Sequence, residues 1–312
     1  MVYPTGFLFQ NFNTDQLTAI EDAMTSALTP TISPTLLAAF NAAVASSGYG
    51  IPVLSANATY YVSKTGNDSN NGLSPSTAFL TIQHALNVVS SIIIGPFSVD
   101  INVGDGTYSE GLLLNGPWLG TGLVTIIGNT TTPTSCIISA VNKPCITLNN
   151  ASSLVCFGFG FTNSGTAFNQ ITVQQSSIFQ FNLCDFGSSV AAHLVTFTGA
   201  TIVNNNRFGS NYSISGGATS HYGGSAGEIS VVSLGTITVT GTPTFTRAFC
   251  VGTNLNLINA GGNTYSGAAT GPRYEASNGG FIQTGGGGAN YFPGSTAGTG
   301  TNFGVSPFGL YS

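Results

Sequence analysis

Hydrophobic periodicity changes three times within residues 57–110, and this stretch organises the rest of the chain. Apolar and polar residues alternate at residues 60–64, which is the period of a β-strand. A cluster of Asn, Asp, Ser and Gly at 66–72 predicts a turn, because these residues tolerate left-handed backbone. Apolar residues then follow helical spacing behind Thr81 as N-cap, which predicts a helix over about 81–90. Alternation returns at 99–103, so the pattern predicts strand, turn, short helix and strand.

Residues 1–56 carry a different pattern, with two helical stripes. Asn13 and Gln16 have capping-box spacing before a first apolar stripe that ends near Thr29. A second stripe begins at Ser33, followed by Pro at the first helical position, and ends at Gly48. Helices of this length do not fold alone in water, so both need a partner, either the end of the following domain or copies of themselves.

From residue 98 onward, short β-like runs alternate with Gly, Asn, Ser and Thr turns, and no second long helical pattern follows the one at 81–90. This order favours an all-β fold.

Aromatic residues recur just before small or polar turn residues, at Phe161, Phe186, Phe208 and Tyr265. The first two intervals match one coil of a three-sided parallel β-helix, in which equivalent side chains form inward ladders. A jelly roll or sandwich also gives short strands but does not predict this equal spacing. The longer last interval predicts two coils plus an insertion at residues 213–227.

Three linked motifs support the same architecture. Residues 60–72 read YYVSKTGNDSNNG, residues 79–85 read FLTIQHA, and residues 106–110 read GTYSE. Together they resemble the opening of right-handed parallel β-helix proteins of the pectate-lyase-like superfamily. That resemblance covers about fifty residues. It implies a three-sided solenoid whose first coil is closed by the helix at about 81–90.

Composition limits the partners of this fold. Only 5% of the residues are charged and the formal net charge is -5, so we expect neither nucleic acid nor anionic membranes as partners. No apolar run is long enough to span a bilayer, and residues 1–9 do not form a secretory signal as written. The five cysteines are odd in number and lack CxxC spacing. We interpret them as buried thiols, with a zinc or disulfide role as the alternative. The sequence predicts no metal site and no cofactor.

Catalytic candidates are few. The resemblance implies relatives that cut polysaccharides, using acids that bind calcium or a set of two or three carboxylates. Beyond Glu110 the chain holds only three acids, which are the weak catalytic candidates Asp185, Glu228 and Glu275. Asp105 and Glu110 belong to the opening motif and are interpreted as turn formers. Asp185 precedes Phe186 just as Arg207 precedes Phe208. If the two coils stack, Asp185 and Arg207 lie on adjacent rungs and form an ion pair. A purely structural role for this pair is the simpler interpretation.

Ligand-binding candidates come from two clusters. An exposed His-Tyr pair is predicted in the insertion, and a second cluster, close to Arg247, precedes the C-terminal segment. Both clusters have a simpler structural reading, as a loop residue and as a fixed turn. The weak ligand-binding candidates are Arg207, His221, Tyr222, Arg273 and Tyr274.

The overall plan resembles bacteriophage tailspike and tail fibre proteins. That resemblance implies a homotrimer, with residues 1–56 attached to other virion proteins, residues 57–278 forming the β-helix, and residues 279–312 forming a Gly- and aromatic-rich end. The leading hypothesis is a virion spike, assembled in the host cytoplasm, that binds host surface polysaccharide without cutting it. A polysaccharide depolymerase with acids at a subunit interface is the alternative. A bacterial surface adhesin or decorative particle protein is a third.

Overall fold

A computed structural model describes residues 51–204, 211–230, 235–300 and 310–312. The two helices predicted before residue 50 lie outside these residues. The described chain forms a parallel β-solenoid of about 8 turns, which confirms the predicted fold class.

Three parallel sheets form the sides of the solenoid, and each complete coil visits them in the order sheet 1, sheet 2, sheet 3. Strands are numbered along the chain. Sheet 1 contains β1 (Ala58–Val62), β3 (Val99–Val103), β7 (Val124–Ile127), β10 (Ser153–Phe157), β13 (Ile178–Asn182), β16 (Thr201–Asn204), β19 (Glu228–Ser230), β22 (Leu257–Asn259), β25 (Phe281–Gln283) and β27 (Leu310–Tyr311). Sheet 2 contains β4 (Gly106–Tyr108), β8 (Cys136–Val141), β11 (Gly160–Ser164), β14 (Asp185–Phe186), β17 (Tyr212–Ile214), β20 (Thr236–Val239) and β23 (Thr264–Ser266). Sheet 3 contains β5 (Leu112–Asn115), β9 (Ile146–Asn149), β12 (Ile171–Val173), β15 (Leu194–Phe197), β18 (Tyr222–Ser225), β21 (Cys250–Gly252), β24 (Tyr274–Ala276) and β26 (Thr299–Gly300).

One pair of short strands, two 3₁₀ turns and one α-helix complete the described secondary structure. β2 (Ile93–Gly95) and β6 (Leu119–Gly120) pair outside the three sheets, and two 3₁₀ turns span Pro75–Thr77 and Pro133–Ser135. The α-helix α1 spans Ile82–Ser90, as predicted, with Thr81 as its N-cap.

The register of sheet 2 confirms part of the predicted aromatic ladder and corrects the rest. Phe161 and Phe186 are in register on neighbouring coils, but the next position in their column is Ile214. Phe208 lies outside the described residues. Tyr265 belongs to a different column, in register with Ile237. The ladder failed beyond its second member because intervals between aromatics do not reveal which of two inward columns a residue joins.

The predicted insertion at residues 213–227 is also wrong, because it contains most of β17 and all of β18, and both strands pair with the coils on either side. Ordinary coil continues through this Ser- and Gly-rich stretch.

The solenoid interior is filled by apolar and aromatic side chains that alternate with outward residues along each strand. All five cysteines are buried and free, which confirms the prediction of buried thiols. Within the described residues the interior also holds polar side chains at full burial, among them His193 and His221.

The first coil is closed by α1, and the opening motif supplies its anchors. Asp68 accepts hydrogen bonds from Leu80 N (2.8 Å) and Thr81 N (2.9 Å), while Glu110 accepts from Ile82 N and Gln83 N, each at 3.0 Å. Both carboxylates therefore hold the N-terminal end of the helix, where the unpaired N–H groups favour negative charge. Glu110 is thus a helix anchor and not the turn former predicted from its motif.

Candidate functional site

The three catalytic candidates lie on three different sides of the solenoid. Asp185 is on β14 of sheet 2, Glu228 on β19 of sheet 1 and Glu275 on β24 of sheet 3. Each alternates with an inward residue and therefore faces outward, away from the other two. A glycoside hydrolase needs two carboxyl groups about 5–10 Å apart on one face. The fold does not bring these three acids together into such a pair.

Asp185 is held by hydroxyl groups of the next coil. Ser213 Oγ donates to Asp185 Oδ1 at 2.6 Å, and Ser215 Oγ donates to Oδ2 at 2.5 Å. The carboxylate is only 5% exposed. Its register partners are Gly160 on one side and Ser213 on the other. Arg207, the predicted partner of Asp185, lies outside the described residues, and Ser213 occupies the neighbouring position in the column.

Glu275 forms a two-pronged ion pair with Arg247. Arg247 Nε donates to Glu275 Oε2 at 2.8 Å and Nη2 donates to Oε1 at 2.7 Å. The hydrogen bonds from Arg247 outweigh partial burial and hold the pKa of Glu275 below its usual range. This places Arg247 beside the C-terminal cluster, as the sequence suggested, and gives Glu275 a structural partner.

The two other members of that cluster also have structural partners. Arg273 Nη1 donates to Thr296 O at 3.0 Å. The Tyr274 ring stacks on Tyr311 with a centroid distance of 3.6 Å and an interplanar angle of 10°. Both contacts join the coil that contains β24 to the last described coil of the solenoid.

His221 and Tyr222 do not face a ligand, which corrects their predicted place in an exposed loop. Both side chains are fully buried in the solenoid interior. His221 Nδ1 lies 2.9 Å from His193 Nδ1, and His221 Nε2 lies 3.0 Å from the Tyr212 hydroxyl. The Tyr212 hydroxyl is also hydrogen bonded to that of Tyr222. The register of two neighbouring coils brings these residues together, and no local motif could have revealed it.

This interior network is neutral. Burial lowers the pKa of His193 to about 3, against the carbonyls of Gly187 and Gly217, which raise it. Burial and the neighbouring His193 hold the pKa of His221 well below its usual range. Burial likewise raises the pKa values of Tyr212 and Tyr222. The network therefore links coils through neutral hydrogen bonds and is closed to a ligand from solvent.

A depression of about 310 Å³ lies on the outer face of sheet 1, between its first strands and the loop that leads to α1. Sequence reasoning missed it, because its lining comes from strands β1 and β3 and from the loop before α1, which lie together only in the fold. Its lining residues are Tyr61, Val62, Ser63, Pro75, Ala78, Asn102, Val103 and Gly104.

Two properties of the described residues bear on metal binding and on membrane crossing. Across the described ranges, no group of three or more His, Cys, Asp or Glu side chains is placed to hold a metal ion. None of the helices in the same part of the chain has the length and apolar character needed to cross a membrane.

Comparisons with protein-family models, with curated proteins and with solved structures give no match.

Proposed function

We propose that this chain is a virion-attached spike or fibre protein of a bacteriophage, and that it binds host surface glycan without cutting it. The observation that carries the proposal is the chemistry of the outward faces. The C-terminal half of sheet 2 presents hydroxyl groups in register on successive coils, with Ser213 beside Thr238 and Thr238 beside Ser266.

Hydroxyl rows of this kind suit a sugar polymer. The hydroxyls of Thr238 and Ser266 can each donate and accept, as sugar hydroxyls do, whereas that of Ser213 donates to Asp185 and can only accept. The coil spacing of about 4.8 Å repeats the row along the solenoid axis. With 5% charged residues, such a surface offers hydrogen bonds without strong electrostatic attraction to nucleic acid or anionic lipid.

Binding without cleavage is favoured over depolymerase activity by the acids. The three candidates face different directions, Asp185 is engaged by two serines, and Glu275 is engaged by Arg247. Among the described residues, none of the three has a second carboxylate as a partner for acid-base chemistry.

The remaining parts of the proposal come from the order of segments along the chain. Residues 1–56 attach the protein to other virion proteins, and their apolar stripes pair in a homotrimer. The solenoid then projects towards the host, and the particle is assembled in the host cytoplasm.

The test incubates purified protein with host capsule or lipopolysaccharide. Retention of the polysaccharide, with no new reducing ends and no absorbance from unsaturated uronate, is the expected result. Cleavage that is abolished by Asp185→Asn or Glu228→Gln would show a depolymerase instead. A chain that is missing from virions, or dispensable for adsorption, would point to an adhesin or a decorative protein.

A further inference from the structure

The depression on sheet 1 has a floor built from two neighbouring coils. Tyr61 on β1 and Asn102 on β3 are in register, and both side chains face outward and are half-buried. Tyr60 and Ile101, their neighbours along the strands, face the interior. The floor thus places a phenol ring beside a carboxamide at the spacing of adjacent strands, about 4.8 Å.

The wall of the depression is a loop fixed by backbone hydrogen bonds. Phe79 N donates to Tyr61 O at 2.9 Å, and Ser63 N donates to Phe79 O at 2.9 Å. Within the loop, Asn67 N and Asn70 Nδ2 both donate to Ala78 O, at 3.0 and 2.9 Å. Pro75 and Ala78 therefore face the floor from a rigid support, and a ligand would meet a site that is already formed.

Glycine at two positions makes this wall possible. A Cβ at Gly72 would lie 2.2 Å from the Phe79 ring, and a Cβ at Gly66 would lie 2.1 Å from Phe79 O. Both residues belong to the opening motif. The same motif that closes the first coil therefore also shapes the depression.

The floor offers hydrogen-bonding groups that the described residues do not use. Within the described chain, neither the Tyr61 hydroxyl nor the Asn102 carboxamide has a hydrogen-bond partner; the Ser63 hydroxyl lies 3.0 Å from Thr65 Oγ1. None of the described lining residues carries a charge. Lys64, which follows Ser63, directs its Nζ over the Tyr108 ring, 5.0 Å from the centroid.

We infer that this depression binds one uncharged pyranose residue, so that the glycan recognised by the chain contains a neutral sugar. This inference rests on the proposed function and adds the site and the sugar class. A pyranose has an apolar C–H face that can lie on the Tyr61 ring, and hydroxyls that can both donate to and accept from the Asn102 carboxamide. The volume of about 310 Å³ accommodates a single ring. A uronate or sialic acid would place its carboxylate against a lining that has no cation, which costs binding free energy.

The experiment uses the full chain and saturation-transfer NMR with methyl glycosides of glucose, galactose and mannose, and with a methyl galacturonoside as the charged probe. At least one neutral glycoside should receive saturation, and the galacturonoside should receive none. Tyr61→Ala should weaken binding of that glycoside by about tenfold or more, and Asn102→Ala by several-fold. Tyr61→Phe, which keeps the ring, should lose less than Tyr61→Ala.

Matched controls are Phe168→Ala and Asn115→Ala, which remove an exposed ring and an exposed amide elsewhere on the surface. Both should bind as the wild type does. If Tyr61→Ala fails to fold, Tyr61→Phe and Asn102→Ala carry the test.

Adsorption to host polysaccharide is measured in parallel on the same variants. The inference is overturned if no neutral glycoside binds, if the galacturonoside binds equally well, or if the Tyr61 and Asn102 variants bind unchanged. In each of these cases the proposed function stands as long as the host polysaccharide is still retained. A wild type that binds a neutral glycoside through Tyr61 but retains no host polysaccharide would keep the site and overturn the proposed function.

Discussion

The buried imidazoles of His193 and His221 lie with their Nδ1 atoms 2.9 Å apart. One hydrogen bond at this distance needs one proton between the two nitrogens, so one ring donates and the other accepts. The two imidazoles pack against the phenyl rings of Phe186, Phe245 and Phe249. Among the described residues, the titratable groups that face the pair are Tyr212 and Tyr222, whose pKa values are raised, so neither supplies a negative charge to compensate a protonated imidazole.

This pair predicts acid sensitivity. Because the folded-state pKa values lie below the unfolded value of about 6.5, the unfolded chain binds more protons below that pH and the free energy of unfolding falls. Each imidazole that stays neutral costs about 1.4 kcal/mol per pH unit below 6.5. For His193 this loss continues until the pH reaches its lowered pKa of about 3. The measurement is chemical denaturation between about pH 7 and pH 5, above the titration of most carboxylates.

His193→Gln and His221→Gln should each reduce the slope of stability against pH, whatever their effect on stability at neutral pH. His84→Gln is the control, since that ring packs edge-on against Phe79 at the cap and no such buried pair involves it. A wild-type stability that stays constant from pH 7 to pH 5 would contradict neutral burial of the pair.

At the residue scale, the sequence predicted what depends on local pattern. The burial of the cysteines follows from residue type. The burial of His221 does not, because it depends on which coil column the residue joins. The Ser- and Gly-rich composition of residues 213–227 led to the prediction that His221 lies in a loop.

The cap α1 shows how a short element depends on side chains outside it. Asp68 also accepts from the Thr81 hydroxyl at 2.9 Å, in addition to its two backbone donors. Burial works to raise the pKa of Asp68, but hydrogen bonds from Thr81 and Leu80 outweigh it and hold the pKa below its usual range. Gln83 pairs with Leu113 through both its amide oxygen (2.7 Å) and its amide nitrogen (3.1 Å), which ties α1 to the second coil.

Removing either anchor should loosen this cap. Asp68→Ala and Glu110→Ala are each expected to lower the free energy of unfolding by about 1–3 kcal/mol, because backbone donors at the helix start lose their acceptor. Thermal denaturation at neutral pH measures the loss. Asp100→Ala is the matched control, since the described chain offers its carboxylate no hydrogen bond; equal losses in all three variants would show that net charge, and not anchoring, is measured.

The other end of the solenoid is closed by aromatic rings. Phe292 is 1% exposed and contacts Phe249 (5.7 Å), Tyr265 (5.5 Å) and Tyr291 (5.1 Å, all between centroids). The Tyr291 hydroxyl accepts from Asn263 N at 3.0 Å. The rings of the Gly-rich C-terminal segment thus cover the interior of the last coils.

Phe292→Ala should therefore cost about 3–5 kcal/mol of unfolding free energy, because it leaves a cavity among rings that cannot collapse. Phe168→Ala, at a ring that is 41% exposed, should cost less than about 1 kcal/mol. Urea denaturation of both variants provides the comparison. Equal losses would mean that Phe292 is not part of a closed core.

At the element scale, the cap was predictable because its residues lie close together in sequence and its helix has a clear N-cap. The number of coils and the closing role of Phe292 were not. Gly-rich composition hides strands such as β25, whose pairing with β22 becomes visible only in the register of sheet 1.

At the scale of the whole molecule, the described residues form a stack of about 8 coils in a chain with only 5% charged residues, and trimerisation remains a prediction from residues 1–56. Analytical ultracentrifugation of the full chain should give three times its mass of 31.8 kDa. Phe40→Asp, within the second apolar stripe, should shift the protein towards monomer, whereas Asn41→Asp beside it should not. A wild type that sediments at 31.8 kDa at micromolar concentration would contradict the prediction.

Size-exclusion chromatography of host surface polysaccharide, after overnight incubation with the full chain, tests directly whether the chain binds the polysaccharide without cutting it. We predict that protein and polysaccharide elute together, and that the polysaccharide released by denaturing the protein keeps its original length. Co-elution should persist at high salt, because the outward faces bind through hydroxyl and amide groups and not through charge. Shortened polysaccharide, or separate elution of the two at every salt concentration, would contradict the account.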